Sequence, residues 1–178
     1  ESFSYLAFHT PFGGMIKGAH RTMMRKMRKA KPDIIEADFE ERVFPGLVYC
    51  QRVGNIMGAT TALSLASTIE NGTFDAPKRV GCFSYGSGCC SEFFSGVVTL
   101  ESQQHMRDFG ITEKLNQRYQ LSMDEYDALI EKSATVRFGT RNVTLDTTFI
   151  GEARESVNMP RLFLKEIKEY HRLYEWVQ

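Results

Sequence analysis

Arg79-Val80-Gly81-Cys82-Phe83-Ser84-Tyr85-Gly86-Ser87-Gly88 reads as a β-strand that runs into a tight turn. The two glycines of Gly86-Ser87-Gly88 permit backbone that side chains would block. Beyond the turn, Phe93, Ser95, Val97 and Thr99 alternate with Phe94, Gly96, Val98 and Leu100, the period of a strand over Ser91 to Leu100. Strand, glycine turn and strand predict an antiparallel pair at one edge of a sheet. Upstream, Ser4 to Phe8 reads as a short buried strand ended by Thr10-Pro11.

Between those strands the helical signals are strong. Gly13-Gly14 opens a helix whose apolar stripe is Met15, Ala19, Met23 and Met27, with Ile16 beside it. Another face carries Lys17, Arg21, Arg25 and Arg28, and His20, Lys26, Lys29 and Lys31 add basic character. That face is either an ordinary solvated surface or a docking surface for an acidic partner or a phosphate. Lys31-Pro32 stops the helix, Asp33 to Arg42 reads as a short acidic helix, and Phe44-Pro45-Gly46 is a turn. Leu47 to Cys50 is a short apolar run leading into Val53-Gly54-Asn55. After Asn55 comes a helix of small residues, among them Gly58, Ala59, Thr60, Ala62, Ser64, Ala66 and Ser67, expected at the centre of the fold. Asn71-Gly72 ends it.

Glu101 to Ser133 is polar and mostly helical, with Ser122 as an N-cap before Asp124-Glu125. Val143 to Ile150 is expected to be extended. Pro160 to Gln178 fits two readings. Phe163, Ile167, Tyr170, Tyr174 and Val177 have helical spacing, whereas Leu162-Phe163-Leu164 suits a final strand.

The 178 residues suffice for one domain with a core, and 22 Lys plus Arg balance 22 Asp plus Glu. A neutral chain offers no bulk field for nucleic acid or an anionic membrane. There is neither a run of about 18 apolar residues nor a signal-peptide pattern. The opening apolar run, Tyr5-Leu6-Ala7-Phe8, looks like the interior of a larger protein, and this segment is not expected to fold alone. Cys50, Cys82, Cys89 and Cys90 lack the spacing of a disulfide framework, which favours a reduced, cytoplasmic setting. Cys82, Cys89, Cys90 and His105 match no zinc spacing, and the three cysteines read better as small buried thiols. Gly-x-Gly-x-x-Gly is absent, and Tyr85-Gly86-Ser87-Gly88 is not a Gly-x-Ser-x-Gly elbow.

Three polar devices remain: His9 in Phe8-His9-Thr10-Pro11-Phe12, Asn55 after Gly54, and Ser87 in its turn. Each alone has a bland reading, as a packed histidine, a helix-capping asparagine and a turn serine. In this order and combination, over the whole chain and most strongly from Tyr5 to Leu100, they resemble the C-terminal part of 3-hydroxy-3-methylglutaryl (HMG) synthases.

The resemblance implies a thiolase-like, five-layered α-β-α-β-α fold, with residues 1–178 forming part of its C-terminal half, and a homodimer. It implies an acyltransferase that condenses an acetyl group, loaded on a cysteine and deprotonated by a glutamate, with a β-ketoacyl thioester. Those two residues belong to the family's N-terminal part, a partner outside this chain, and Cys89 and Cys90 do not match the nucleophile. By the same resemblance, His9 polarises the acceptor carbonyl, Asn55 helps to hold the acceptor, and the backbone N–H of Ser87 contributes to an oxyanion hole. Phe12-Gly13-Gly14 departs from the tyrosine and lysine usual in primary-metabolism HMG-CoA synthases. It looks more like the polyketide β-branching branch, whose substrates ride on the phosphopantetheine of acyl carrier proteins. Lys17, Arg21, Arg25 and Arg28 are then the expected carrier-binding face, and no bound cofactor or metal is expected. The alternatives are an HMG-CoA synthase of isoprenoid supply, a ketoacyl synthase of the same fold, and a non-catalytic carrier-binding subunit.

Overall fold

The computed structural model describes residues 3–146 and 160–177. The chain forms two compact units, Glu1–Ile111 and Thr112–Gln178. The first contains β1 (Tyr5–Phe8), α1 (Gly13–Arg28), α2 (Pro32–Arg42), a 3-10 turn (Phe44–Gly46), α3 (Val48–Val53), α4 (Ala59–Asn71), β2 (Lys78–Gly86), β3 (Cys90–Val98) and α5 (Leu100–Asp108). A short α6 (Ile111–Asn116) spans the division, and the second unit holds α7 (Met123–Ser133), β4 (Val143–Thr144), β5 (Arg161–Lys168) and β6 (His171–Val177).

In the first unit the sheet order is β1-β2-β3. β1 runs parallel to β2, with Phe8 opposite Phe83, and β2 pairs antiparallel with β3, with Gly86 opposite Cys90. The expected edge hairpin is therefore present. Alternation along β1 sends its side chains to two cores. Tyr5 and Ala7 pack with Phe74, Val80, Cys82 and Val98. Leu6 packs on the other face with Ile16, Phe39, Val43 and Leu47. Both faces of this short strand are thus covered by helices, which is the α/β arrangement.

Within this chain α4 is buried on one face. Thr60, Thr61, Ser64, Ser67 and Thr68 form its buried face, and Ala59 and Ala62 are exposed. The buried hydroxyls satisfy backbone groups of their neighbours. Ser64 Oγ accepts the Phe8 N–H at 3.2 Å, and Ser67 Oγ accepts the Tyr49 N–H at 3.2 Å while donating to the Pro45 carbonyl at 2.6 Å. Small polar residues here serve hydrogen bonding as well as close approach. A Cβ on Gly46 would lie 2.8 Å from both Ser64 Oγ and Thr68 Oγ1, so only glycine fits there. At the other end of α4, the buried Gln103 of α5 donates from Nε2 to the carbonyls of Ile69 and Gly72, at 2.8 and 2.7 Å. This occupies acceptors that a helix C-terminus leaves open.

α1 buries Ile16, His20 and Met24, whereas Met15 and Met27 of the expected stripe are exposed. His20, read from sequence as part of the basic surface, is only 1% exposed. Its Nε2 lies 2.6 Å from Asp38 Oδ2, and Arg42 grips the same carboxylate through Nε at 2.9 Å and Nη2 at 2.7 Å. This cluster fixes α1 against α2. Burial pushes the Asp38 carboxyl upward, but hydrogen bonds from Arg42 and then His20 outweigh it and hold the group below its ordinary value. A carboxyl depressed on folding stabilises the protein fully above the unfolded value, near pH 4, and the contribution is lost as pH falls through the folded value. Asp38→Asn is expected to lower stability by about 1.5–3 kcal/mol near neutral pH, the range for hydrogen bonds to charged groups, and to flatten the acid limb of the stability curve. Urea unfolding of the full-length protein across pH 3 to 7 measures both effects.

Leu47 to Cys50, read only as an apolar run, lies largely within α3. Cys50 and Cys82 are buried thiols, but Cys89 and Cys90 are exposed at the hairpin turn, so the reading of Cys82, Cys89 and Cys90 as buried thiols holds for Cys82 and is corrected for the other two.

In the second unit, Ser122 caps α7 as expected: its Oγ accepts the Glu125 N–H at 3.2 Å, and Glu125 Oε2 accepts the Ser122 N–H at 2.6 Å. The sheet order is β4-β5-β6. Of the expected extended stretch Val143 to Ile150, Val143–Thr144 is strand, and positions 147–150 lie outside the described residues. The helical reading of the C-terminus is overturned. Glu169 and Tyr170, at φ 48° and 67°, make a two-residue turn that folds β5 back on β6.

Candidate active site

The sheet and α4 bring the three motifs together. His9 follows β1 directly, and its backbone N–H donates to the Phe83 carbonyl at 2.8 Å, extending the β1–β2 pairing by one residue. Its half-buried ring lies 6.2 Å, centroid to centroid, from that of Tyr85. The ring's Nδ1 is 3.1 Å from Thr60 Oγ1, at the start of α4. His9 is therefore held by the third motif on one side and by the helix that follows Asn55 on the other.

Asn55 is exposed in the link from α3 to α4. Its Oδ1 accepts the Met57 N–H at 2.9 Å, a local turn that leaves the carboxamide N–H groups as outward donors. Gly54 and Met57 take φ values of 82° and 57°, so the backbone bends sharply on both sides of Asn55. A cavity of about 220 Å³ joins the first two motifs, lined by Thr10, Pro11 and Phe12 on one side and by Leu47, Cys50 and Gly54 on the other. Burial raises the Cys50 thiol above its ordinary value, with a smaller opposing effect from Thr10. A thiol raised in this way stays protonated near neutrality and makes a poor nucleophile.

Ser87 opens the turn 87–89, two residues beyond Tyr85 at the end of β2. Gly88 and Cys89 follow at φ 80° and 58°. An imidazole, a carboxamide and a tight turn are thus linked through Thr60 and Met57 on one side and Tyr85 on the other. These are groups that bind and polarise carbonyl oxygens.

The basic face of α1 begins four residues after Gly13, itself the fourth residue after His9. It is not uniform. Lys17 pairs with Glu36 of α2 and lies over the Phe39 ring at 5.2 Å, whereas Arg21 and Arg25 are exposed. Arg28 lines a separate groove with Phe3, Met27 and Phe93.

The profile of the hydroxymethylglutaryl-coenzyme A synthase C-terminal family matches residues 20–176. The chain belongs to the HMG synthase family. A polyketide biosynthesis 3-hydroxy-3-methylglutaryl-ACP synthase, PksG of Bacillus subtilis (strain 168), is 62% identical over 99% of this chain and 42% of its own length. The crystal structure of the curacin biosynthetic pathway HMG synthase in complex with apo donor-ACP superposes with a TM-score of 0.95 at 62% identity, covering 99% of this chain and 44% of that one. The hydroxymethylglutaryl-CoA synthase of Enterococcus faecalis is 32% identical over 88% of this chain and 38% of its own length. The chain thus spans less than half the length of each of these HMG synthases. The likeness to the curacin HMG synthase places the α/β fold among the thiolase-like HMG synthases.

Thr60 and Tyr85 are the site residues that sequence reading passed over. Thr60 stood among the small residues of α4. Its one signal is position: it lies five residues after Asn55, in the first turn of α4, where a hydroxyl can face back to β1.

Proposed function

We propose that this chain is the C-terminal, acceptor-handling part of an HMG synthase that acts on carrier-bound thioesters in polyketide β-branching. One observation carries the choice of branch: the 62% identity to a synthase named for carrier-protein substrates, against 32% to one named for CoA. The crystallised complexes of a 62% identical HMG synthase with donor-ACP support it.

In this reading the preceding part of the full-length protein supplies the acetylated cysteine and the glutamate that removes a methyl proton. The carbanion attacks the β-keto carbonyl of the acceptor, and water then releases the product from the cysteine. His9 hydrogen-bonds the acceptor carbonyl through Nε2, placing positive charge where negative charge develops. The carboxamide N–H of Asn55 is the second donor. The Ser87 N–H stabilises the thioester oxyanion together with the N–H of the nucleophile. The Cys50 thiol takes no part. Substrates arrive on phosphopantetheine, and no other cofactor enters. A homodimer and a cytoplasmic setting belong to the same reading. Among the described residues no helix is long and apolar enough to cross a membrane.

The exposed Arg21 and Arg25 carry the docking of the carrier's acidic helix, with Lys17 and Arg28 flanking them. Reversing Arg21 and Arg25 to Glu is expected to raise KM for a carrier-bound acceptor roughly tenfold, since rim charges steer encounter more than they add affinity. Turnover of the same acyl group on free pantetheine should stay within about twofold. Equal losses on both remove the docking role. No HMG product from the full-length protein on any acceptor removes the synthase reading in favour of a carrier-binding subunit.

A further inference from the structure

We propose that Thr60 is a positioning residue that fixes the protonated nitrogen of His9 and ties that ring to the loop carrying Asn55. The inference rests on the roles of His9 and Asn55 given above. The link it describes is between one hydroxyl and both groups.

Thr60 is fully buried, and its Oγ1 has three partners: the Met57 carbonyl at 2.8 Å, the Thr10 N–H at 3.1 Å and His9 Nδ1 at 3.1 Å. A hydroxyl offers one hydrogen and two lone pairs. A carbonyl only accepts, so the hydrogen goes to Met57. A backbone N–H only donates, so Thr10 takes one lone pair. The lone pair that remains faces His9, and Nδ1 must therefore carry a hydrogen and donate it. Neutral His9 is held as the Nδ1–H tautomer, because the partner of one ring nitrogen sets the state of the other. Nε2 is then the nitrogen left for the substrate: a bare acceptor in the neutral ring, and a donor to the acceptor carbonyl when the ring holds both hydrogens.

The second half of the link is the Met57 peptide. Its carbonyl takes the Thr60 hydrogen, and its N–H donates to Asn55 Oδ1 at 2.9 Å. Met57 itself sits at φ 57°, a region that residues with side chains seldom occupy and that persists only when neighbouring bonds enforce it. The Met57 carbonyl also accepts the Thr60 backbone N–H at 3.1 Å, so Thr60 makes two of the three bonds on Met57, one of them through its hydroxyl. Loss of its hydroxyl therefore frees the His9 tautomer and removes one of the three bonds that hold Met57 beside Asn55, while the backbone bond remains.

The test uses the full-length protein with 15N-labelled histidine, with the His9 signal assigned by its loss in His9→Asn. With the ring neutral, the wild type should show a protonated Nδ1 and a bare Nε2, and Thr60→Ser should show the same. Thr60→Val should move hydrogen to Nε2. Its condensation rate should fall on the order of 100-fold, the cost of a slightly misplaced catalytic group, with acetyl loading unchanged and Thr60→Ser restoring most of the loss. A neutral wild type with its hydrogen on Nε2 overturns the proposal. So does a Thr60→Val spectrum unchanged from the wild type. The wild-type spectrum decides even where Thr60→Val does not fold. It also needs no turnover. A protonated Nδ1 in a protein that makes no HMG product keeps the positioning and ends the functional reading. Product formation with a bare Nδ1 does the reverse.

Discussion

His9→Ala in the full-length protein should slow carbon–carbon bond formation by about 100- to 1000-fold, the range for removal of one oxyanion donor. Acetyl loading should stay within about twofold. The division follows from where His9 sits. Its backbone N–H extends the β1–β2 pairing, and its ring is held between Tyr85 and Thr60 at the mouth of α4, beside the Asn55 loop. In the proposed reading this group meets the acceptor after the donor acetyl is already covalently held. Single-turnover kinetics with radiolabelled acetyl separate loading from condensation. Losses of equal size in both steps would assign His9 to nucleophile activation, or to the fold alone. The ring is half buried and the backbone bond survives substitution, so folding should be little affected.

Ser87 should divide in the opposite way from most active-site serines. Ser87→Ala is expected to leave turnover within about twofold of the wild type. Ser87→Pro, which removes the N–H, should lower it about 100- to 1000-fold. The residue is exposed at the start of the turn 87–89, so neither change strips a core. A large loss in Ser87→Ala would mean that the hydroxyl itself acts. A fully active Ser87→Pro would remove the turn from the oxyanion hole. Circular dichroism on both variants checks that the β2–β3 hairpin is retained.

The edge hairpin was legible because two local signals agreed: strict alternation from Ser91 onward and glycines at the turn. β1 and the ends of α1 and α7 were legible for similar reasons, since proline, glycine and the Ser122–Glu125 box act within a few residues. What sequence hid was set by distant partners. His20 looked like surface charge because its partner, Asp38, lies on the next helix. Once a histidine can be buried by a carboxylate, the face of Ile16, His20 and Met24 wins over that of Met15 and Met27. The C-terminal hairpin was hidden because Glu169-Tyr170 is not a recognisable turn pair, and the aromatics on either side also suit a helix. In the site, the motifs named His9 and Asn55, but not the hydroxyl between them. A threonine in a small-residue helix carries no signal of its three partners until β1 is laid across α4.

Which thioester carries the product separates carrier-dependent from CoA-dependent synthesis. Full-length protein supplied with acetyl-carrier protein can be offered acetoacetyl groups on carrier protein and on CoA in one mixture, with intact-mass spectrometry following both acceptors. HMG should form on the carrier protein well ahead of HMG on CoA. HMG formed as fast or faster on CoA would contradict carrier dependence, and the exposed arginines of α1 would then be ordinary solvated surface.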